Sequence, residues 1–209
     1  MRVLVIGTED MTGEHVVKLL ADKQHEPVAV VGSQNKDSLM TKLGATEVVV
    51  MEAQNFSEAF AGCEAVIYLG AASPRTGEGK PILIDHQTMI ASVEAANKHD
   101  VQRFILLSPL RADENESGGP GTIGGKNQAE ELLRQEEIAY TIIRPSEPVE
   151  KPGSGKVNAA PSLKDEHGEI PKEDLASVLV EALDSRETFN KTFDVTSGDT
   201  PIREALQQL

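Results

Sequence analysis

Between residues 3 and 144, short continuous apolar runs alternate with stretches long enough for a helix. No other feature of the chain restricts its fold as much. Uninterrupted Val, Ile and Leu runs suit strands buried on both faces, and helix-length spacers between them suit crossovers. Strands are expected over residues 3–6, 28–31, 47–51, 65–69, 104–107 and 140–144. Helices are expected over 12–21, 36–43, 82–97 and 125–137, with a brief helical turn over 56–61. In the first helix Val16, Val17, Leu19 and Leu20 form the apolar side, and in the last Ala129, Leu132 and Leu133 face inward. Repeated units of this kind make an α/β fold with a doubly wound parallel sheet. Right-handed crossovers favour the strand order 3-2-1-4-5-6, which places ligands at the C-terminal strand ends around the switch point between strands one and four.

Beyond Pro145 the texture changes. Residues 147–165 are rich in Pro, Gly and Lys and read as a long excursion. A helix is expected over 172–184 and a strand over 191–196, and Thr200 and Pro201 resemble the N-cap and first residue of a last helix. At 209 residues the chain suits one domain, residues 1–209, in which 147–209 form a small C-terminal lobe on the substrate side.

Composition narrows the function classes. Aromatic residues make up 3% and Trp is absent, so the core must come from Val, Ile, Leu and Ala. A net charge of −14 repels phosphate backbones and anionic lipid, which argues against nucleic acid and membrane as partners. With Cys63 the only cysteine, no internal disulfide can form. The opening MRVLVIG is too short for a secretory apolar region, and the chain reads as cytoplasmic. His15, His25, His86, His99 and His167 are scattered without metal-ligand spacing, so no metal site is expected.

The chemistry should sit in the first turn. Val3–Ile6 leads directly into Gly7, Thr8, Glu9, Asp10, Met11, Thr12 and Gly13. Gly7 allows a sharp turn, Gly13 lets the first helix pack close to the sheet, and the helix start points its free N–H groups at an anion. Asp10, just before the helix, is among the best N-cap residues, and its carboxylate can accept from Thr12 or Gly13 N–H. It would then compete with any phosphate for the same groups.

Residues 3–13, 62–73, 101–108, 126–133 and 140–145, with the strings YTIIRP, PGSGKV and TFDVTSGDTPI, resemble the atypical short-chain dehydrogenase/reductase group. That group includes NAD(P)H-binding, NmrA-like and small bacterial epimerase-like proteins, and the strings resemble the epimerase-like branch. The resemblance implies a Rossmann-type fold, a nicotinamide dinucleotide and a small-molecule substrate. It implies that Gly7, Thr8, Met11 and Gly13 line the pyrophosphate, with Asp10 and Thr12 at the same helix start. Met51, Glu52 and Ala53 would lie against the adenine, and Leu69, Gly70, Ala71 and Ala72 would approach the nicotinamide ribose. Ser108 and Lys126 would be the catalytic pair, with Pro145 and Ser146 beside them.

The chain departs from the group's pattern in places. Asp10 replaces the middle glycine of G-x-x-G-x-x-G, Thr122 stands where the Tyr of Y-x-x-x-K would be, and Pro109 replaces a Ser. Gly32, Ser33 and Gln34 replace the Arg that grips a 2′-phosphate; Ser33 can hydrogen-bond either ribose form, and NADP is slightly favoured over NAD. Thr lacks the ionisation that lets Tyr serve as an acid. Two readings therefore stand open: hydride transfer to a small carbonyl, quinone or flavin, or a nucleotide-sensing or scaffold protein with weak dinucleotide binding. The stretch 111–125 is either a lid or a loop with no task.

Overall fold

The computed structural model describes residues 1–8, 10–51, 56–70, 81–108, 124–163 and 168–209. The expected lid over 111–125 falls almost wholly outside them, as do Glu52, Ala53, Ala71, Ala72, Pro109 and Thr122. The apolar runs form β1 (Arg2–Ile6), β2 (Glu26–Val31), β3 (Glu47–Val50), β4 (Ala65–Tyr68), β5 (Arg103–Leu107) and β6 (Ala139–Pro145). Between them lie α1 (Met11–Asp22), α2 (Asp37–Lys42), α3 (Pro81–Lys98) and α4 (Gly124–Gln135). The strands pair in parallel, β1 with β2 and β4, β2 with β3, and β5 with β4 and β6. The order 3-2-1-4-5-6 expected from the sequence is the order found.

Alternation along each strand divides the core into two layers. Val3 and Val5 of β1 face one side with Ala29, Val31, Ala65, Ile67, Ile105 and Ile143. Leu4 and Ile6 face the other with Val28, Val30, Val66, Phe104 and Ile142. Helix α1 covers the first layer through Val16, Val17 and Leu20, and α3 covers the second through Met89, Val93 and Ala96. This is the arrangement that uninterrupted apolar strands demand.

The C-terminal residues continue the sheet. They form β7 (Glu147–Val149), β8 (Lys156–Ala160), β9 (Glu169–Pro171), α5 (Lys172–Ala182), β10 (Lys191–Ser197), β11 (Thr200–Pro201) and α6 (Ile202–Gln207). The full sheet has nine strands, ordered β11-β8-β10-β6-β5-β4-β1-β2-β3. β10 runs parallel to β6, whereas β8 is antiparallel to β10 and β11 is antiparallel to β8. Strands β7 and β9 make a separate two-stranded sheet. Two expectations change. The excursion over 147–165 carries strands β7 and β8, and Thr200 and Pro201 pair as β11 with Val157 and Lys156. Helix α6 thus begins one residue after Pro201, and Thr200 makes a ladder pair instead of a cap.

Candidate functional site

Because the central strands run in parallel, their C-terminal ends share one edge. Ile6 stands opposite Tyr68, Tyr68 opposite Leu106, and Leu107 opposite Ile143. The residues that follow are neighbours along that edge: Gly7 after β1, Leu69 and Gly70 after β4, Ser108 after β5, and Pro145 with Ser146 at the end of β6. Backbone bonds hold them, with Leu69 N–H donating to the Ile6 carbonyl at 2.8 Å, Ser108 N–H to Ile143 at 2.9 Å and Ser146 N–H to Val195 at 2.9 Å. Ser108 and Ser146 are both buried.

The turn from β1 to α1 depends on its glycines. Gly7 has φ +96°, and a β-carbon there would overlap the Gly70 carbonyl oxygen. Two strand ends therefore meet backbone to backbone at the switch point. At Gly13 a β-carbon would sit 2.5 Å from the Thr8 Cα, so the helix start lies directly on the turn. The Thr8 hydroxyl is buried and donates to the Val30 carbonyl at 2.7 Å, which ties the turn to β2. Met11 is exposed and Thr12 is buried.

Asp10 caps α1. Its Oδ1 accepts from Gly13 N–H at 3.1 Å, and its Oδ2 accepts from the Thr12 hydroxyl at 3.3 Å. The carboxylate therefore occupies a donor at the anion-binding end of the helix. Sequence reasoning missed the neighbour that completes this arrangement. Lys172, the first residue of α5, brings its Nζ to 3.8 Å from Asp10 Oδ2 and 3.2 Å from Glu150 Oε1. No local pattern could have signalled the meeting, because Asp10 and Lys172 approach only through the packing of α1 on α5.

The loop with the sequence PGSGK also has a role the sequence did not reveal. Ser154 N–H and Gly155 N–H each donate to the Asp174 carboxylate at 2.8 Å, and the Ser154 hydroxyl donates at 3.2 Å. Gly153 N–H donates to Glu173 at 3.0 Å. Asp174 is buried, so the loop encloses an anion belonging to the chain itself. The available signal was Gly-Ser-Gly in one segment and a Glu-Asp pair at a helix start in another.

Helix α4 is fastened to the end of β6 by a buried ion pair. Arg144 donates from Nε to Glu130 Oε1 at 3.1 Å and from the guanidinium to Oε2 at 2.5 Å. Arg134 adds a third bond to Glu130 at 2.8 Å. Lys126 lies on this helix one turn before Glu130, and its side chain is outside the described residues. Ser33 is exposed at the end of β2 and makes no capping bond, while Lys36 pairs with Glu14 at 3.0 Å.

The strongly shifted groups lie away from this edge. Burial pulls the Arg103 guanidinium down to about 9, against the pull of Asp184. Arg103 opens β5 at the opposite end of the sheet, donates to the Ala139 and Ala182 carbonyls, and stacks 4.1 Å over the Phe189 ring. Burial likewise pushes the Cys63 thiol up, although nearby Arg2 opposes the shift. Both groups serve packing. Among the described residues, no cluster of His, Cys, Asp or Glu could hold a metal ion, and no helix is long and apolar enough to cross a membrane.

Comparison with known proteins agrees with this fold. Residues 7–186 match the NAD(P)H-binding family. The uncharacterized sugar epimerase YhfK of Bacillus subtilis (strain 168) is 34% identical over the whole of both chains. A solved structure from Bacillus halodurans, provisionally assigned as an NAD-dependent epimerase/dehydratase, superposes with a TM-score of 0.91 at 31% identity over the whole of both chains. Sanguinarine reductase of Eschscholzia californica is 23% identical across 99% of this chain and 93% of its own. Gly7 and Gly13 let the turn pack on its own backbone, since a β-carbon at either would overlap the Gly70 carbonyl oxygen or the Thr8 Cα. The Asp10 carboxylate would have to leave Gly13 N–H for a phosphate to take its place. With that fold and that turn, the chain belongs to the NAD(P)H-binding family, in the atypical short-chain dehydrogenase/reductase group with a Rossmann-type fold.

Proposed function

We propose that the protein is an NAD(P)H-dependent reductase or epimerase-like enzyme acting on a small carbonyl, quinone or flavin. The observation that carries the reading is the meeting of Gly7 and Gly70 at the switch point, with Ser108 at the end of the strand next to that of Gly70. A nicotinamide bound there would supply the hydride. The chain's own contribution is placement. Ser108 would hydrogen-bond the substrate oxygen, and Lys126 would hold the ribose from α4. Pro145 and Ser146 would close the far side, with residues 147–209 shaping the substrate side. With Thr122 in the tyrosine position, the protein would act by positioning and by shielding from water, without a phenolic acid.

NADP is slightly favoured. Ser33 offers a hydroxyl to a 2′-phosphate or a 2′-OH, and strand β2 ends with neither the carboxylate nor the Arg that would enforce a choice. The dissociation constants for NADP and NAD should differ by less than about a hundredfold, roughly 2.7 kcal/mol. The acidic composition and lone Cys63 suit a cytoplasmic setting.

Asp10 favours a second reading, in which the protein senses dinucleotide weakly and does no chemistry, because its carboxylate already occupies Gly13 N–H. Titration with NADH, NADPH, NAD and NADP, followed by fluorescence and melting temperature, tests the dinucleotide reading. NADPH oxidation with quinone, flavin and carbonyl panels then separates the two. Turnover that falls in Ser108→Ala supports the enzyme; binding without turnover on every panel leaves the sensor.

A further inference from the structure

We infer that Lys172 is a ligand for the dinucleotide pyrophosphate, a cation lent by the C-terminal part of the chain to the turn between β1 and α1. The inference rests on the dinucleotide reading above. In the structure, Asp10 holds Gly13 N–H through Oδ1 while its Oδ2 lies 3.8 Å from Lys172 Nζ. An anion that replaced this carboxylate at Gly13 N–H would inherit the same neighbouring cation. The Asp10 side chain is 54% exposed and has solvent to turn into, whereas that of Lys172 is 18% exposed and stays where packing puts it.

Three constraints converge on that position. Val149 pairs with Pro171 across β7 and β9, which sets the following residues, Glu150 and Lys172, beside each other. Two residues on, the loop at 153–155 grips Asp174 and fixes the start of α5. Helix α5 then packs Leu175, Val178 and Leu179 into the layer that holds Val16, Val17 and Leu20 of α1.

A purely structural role accounts poorly for a lysine here. As the first residue of α5, Lys172 places its cation against the positive end of that helix's dipole, where a carboxylate is preferred. Its approach to Asp10 is at the outer limit of an ion pair, and its partner Glu150 is exposed. With both carboxylate partners open to solvent, such pairs contribute little to stability. Neighbours that set a cation beside the phosphate end of α1, against the preference of its own helix, are those of a ligand-binding residue.

Calorimetry with NADPH and NADH, on wild type, Asp10→Gly, and Asp10→Gly combined with Lys172→Met or Lys172→Arg, tests the inference. In the Asp10→Gly background, Lys172→Met should weaken binding about tenfold, the scale of one charge-assisted hydrogen bond, and flatten its dependence on salt. Lys172→Arg should restore most of both. If Lys172 served only to neutralise Asp10, its removal would matter in wild type and make no difference once Asp10 is gone. That result would overturn the inference while the dinucleotide reading stood. If neither wild type nor Asp10→Gly binds either nucleotide, the dinucleotide reading itself falls and takes the inference with it. Matching melting curves for Lys172→Met and Lys172→Arg separate lost binding from lost structure.

Discussion

Two segments of this protein set a carboxylate against backbone N–H groups beside a helix, with opposite consequences. In the loop at 153–155, Asp174 takes two backbone donors and a hydroxyl, is 1% exposed, and closes the loop around itself. In the turn before α1, Asp10 takes a single backbone donor and remains half exposed. The first carboxylate is enclosed by its loop, and the second lies over the start of its helix with solvent on one side. The difference lies in what holds each backbone. Asp174 organises its own loop, whereas the first turn is already fixed by Gly7 against Gly70 and by Gly13 against Thr8. A carboxylate that does not hold its turn together can leave, which is the property a ligand site requires.

The largest expected effect is therefore at Asp174. Replacing it with Ala strips a buried charged acceptor from two backbone donors and a hydroxyl on the exposed residues Ser154 and Gly155. Water can reach those donors, so the lower end of about 1.5–3 kcal/mol per charge-assisted bond applies, and three bonds make the loss about 4–5 kcal/mol in urea unfolding. Asp10→Ala, which removes a partly solvated cap, should cost only about 1 kcal/mol. Equal losses at the two positions would break the comparison.

Next comes Gly7→Ala. A side chain at φ +96° adds about 1–2 kcal/mol of strain, and the overlap with the Gly70 carbonyl adds more, so about 2–3 kcal/mol is expected. In the first turn the glycine should thus outweigh the carboxylate, whereas in the second loop the carboxylate dominates. A Gly7→Ala loss smaller than that of Asp10→Ala would mean that the cap holds the turn after all.

The third expectation concerns affinity. A carboxylate about 5 Å from a phosphate, at an effective dielectric near 20, is disfavoured by roughly 3 kcal/mol before screening. A third of that already approaches tenfold. Asp10→Gly should therefore bind NADPH or NADH at least about tenfold more tightly than wild type by calorimetry. Equal affinities, or tight binding by the wild type, would mean that the carboxylate turns aside at no cost and is no competitor.

How much of this the sequence disclosed depends on range. Strands β1 to β6 were legible to within two residues because each carries a short apolar run, even in β3, which stands at the edge of the sheet and is only half-buried. The Asp10 cap was legible too, since a cap is decided within three residues of chain. Strand β8 was not, because only Val157 of its five residues is fully buried and its place depends on pairing with β10. Thr200 and Pro201 satisfied a local rule for helix starts, yet the ladder with β8 claimed them. Lys172, Glu150 and the loop around Asp174 escaped for the same reason. Their partners are remote in sequence and meet only through the β7–β9 pairing, the fold of the 153–155 loop over the start of α5, and the docking of α5 on α1. Ser108 stands at its strand end as the run before it implied, whereas its burial had no signal in the sequence.

The smallest expected effect bears most directly on whether the first turn is open. Asp10→Gly should cost only a few tenths of a kcal/mol in stability, because glycine is itself an acceptable N-cap residue and water can satisfy the donor left behind. Gly13 N–H would lose its 3.1 Å acceptor, and Lys172 would keep its contact with Glu150 at 3.2 Å. The backbone at position 10 is extended, with φ −115° and ψ 175°, so glycine enters without strain and loses only conformational freedom. Chemical denaturation of the two proteins in the same buffer reads this difference, with the dependence on denaturant expected to stay unchanged. A loss above about 1 kcal/mol would make Asp10 a structural anion like Asp174, and the turn would then be closed in the same sense as the loop.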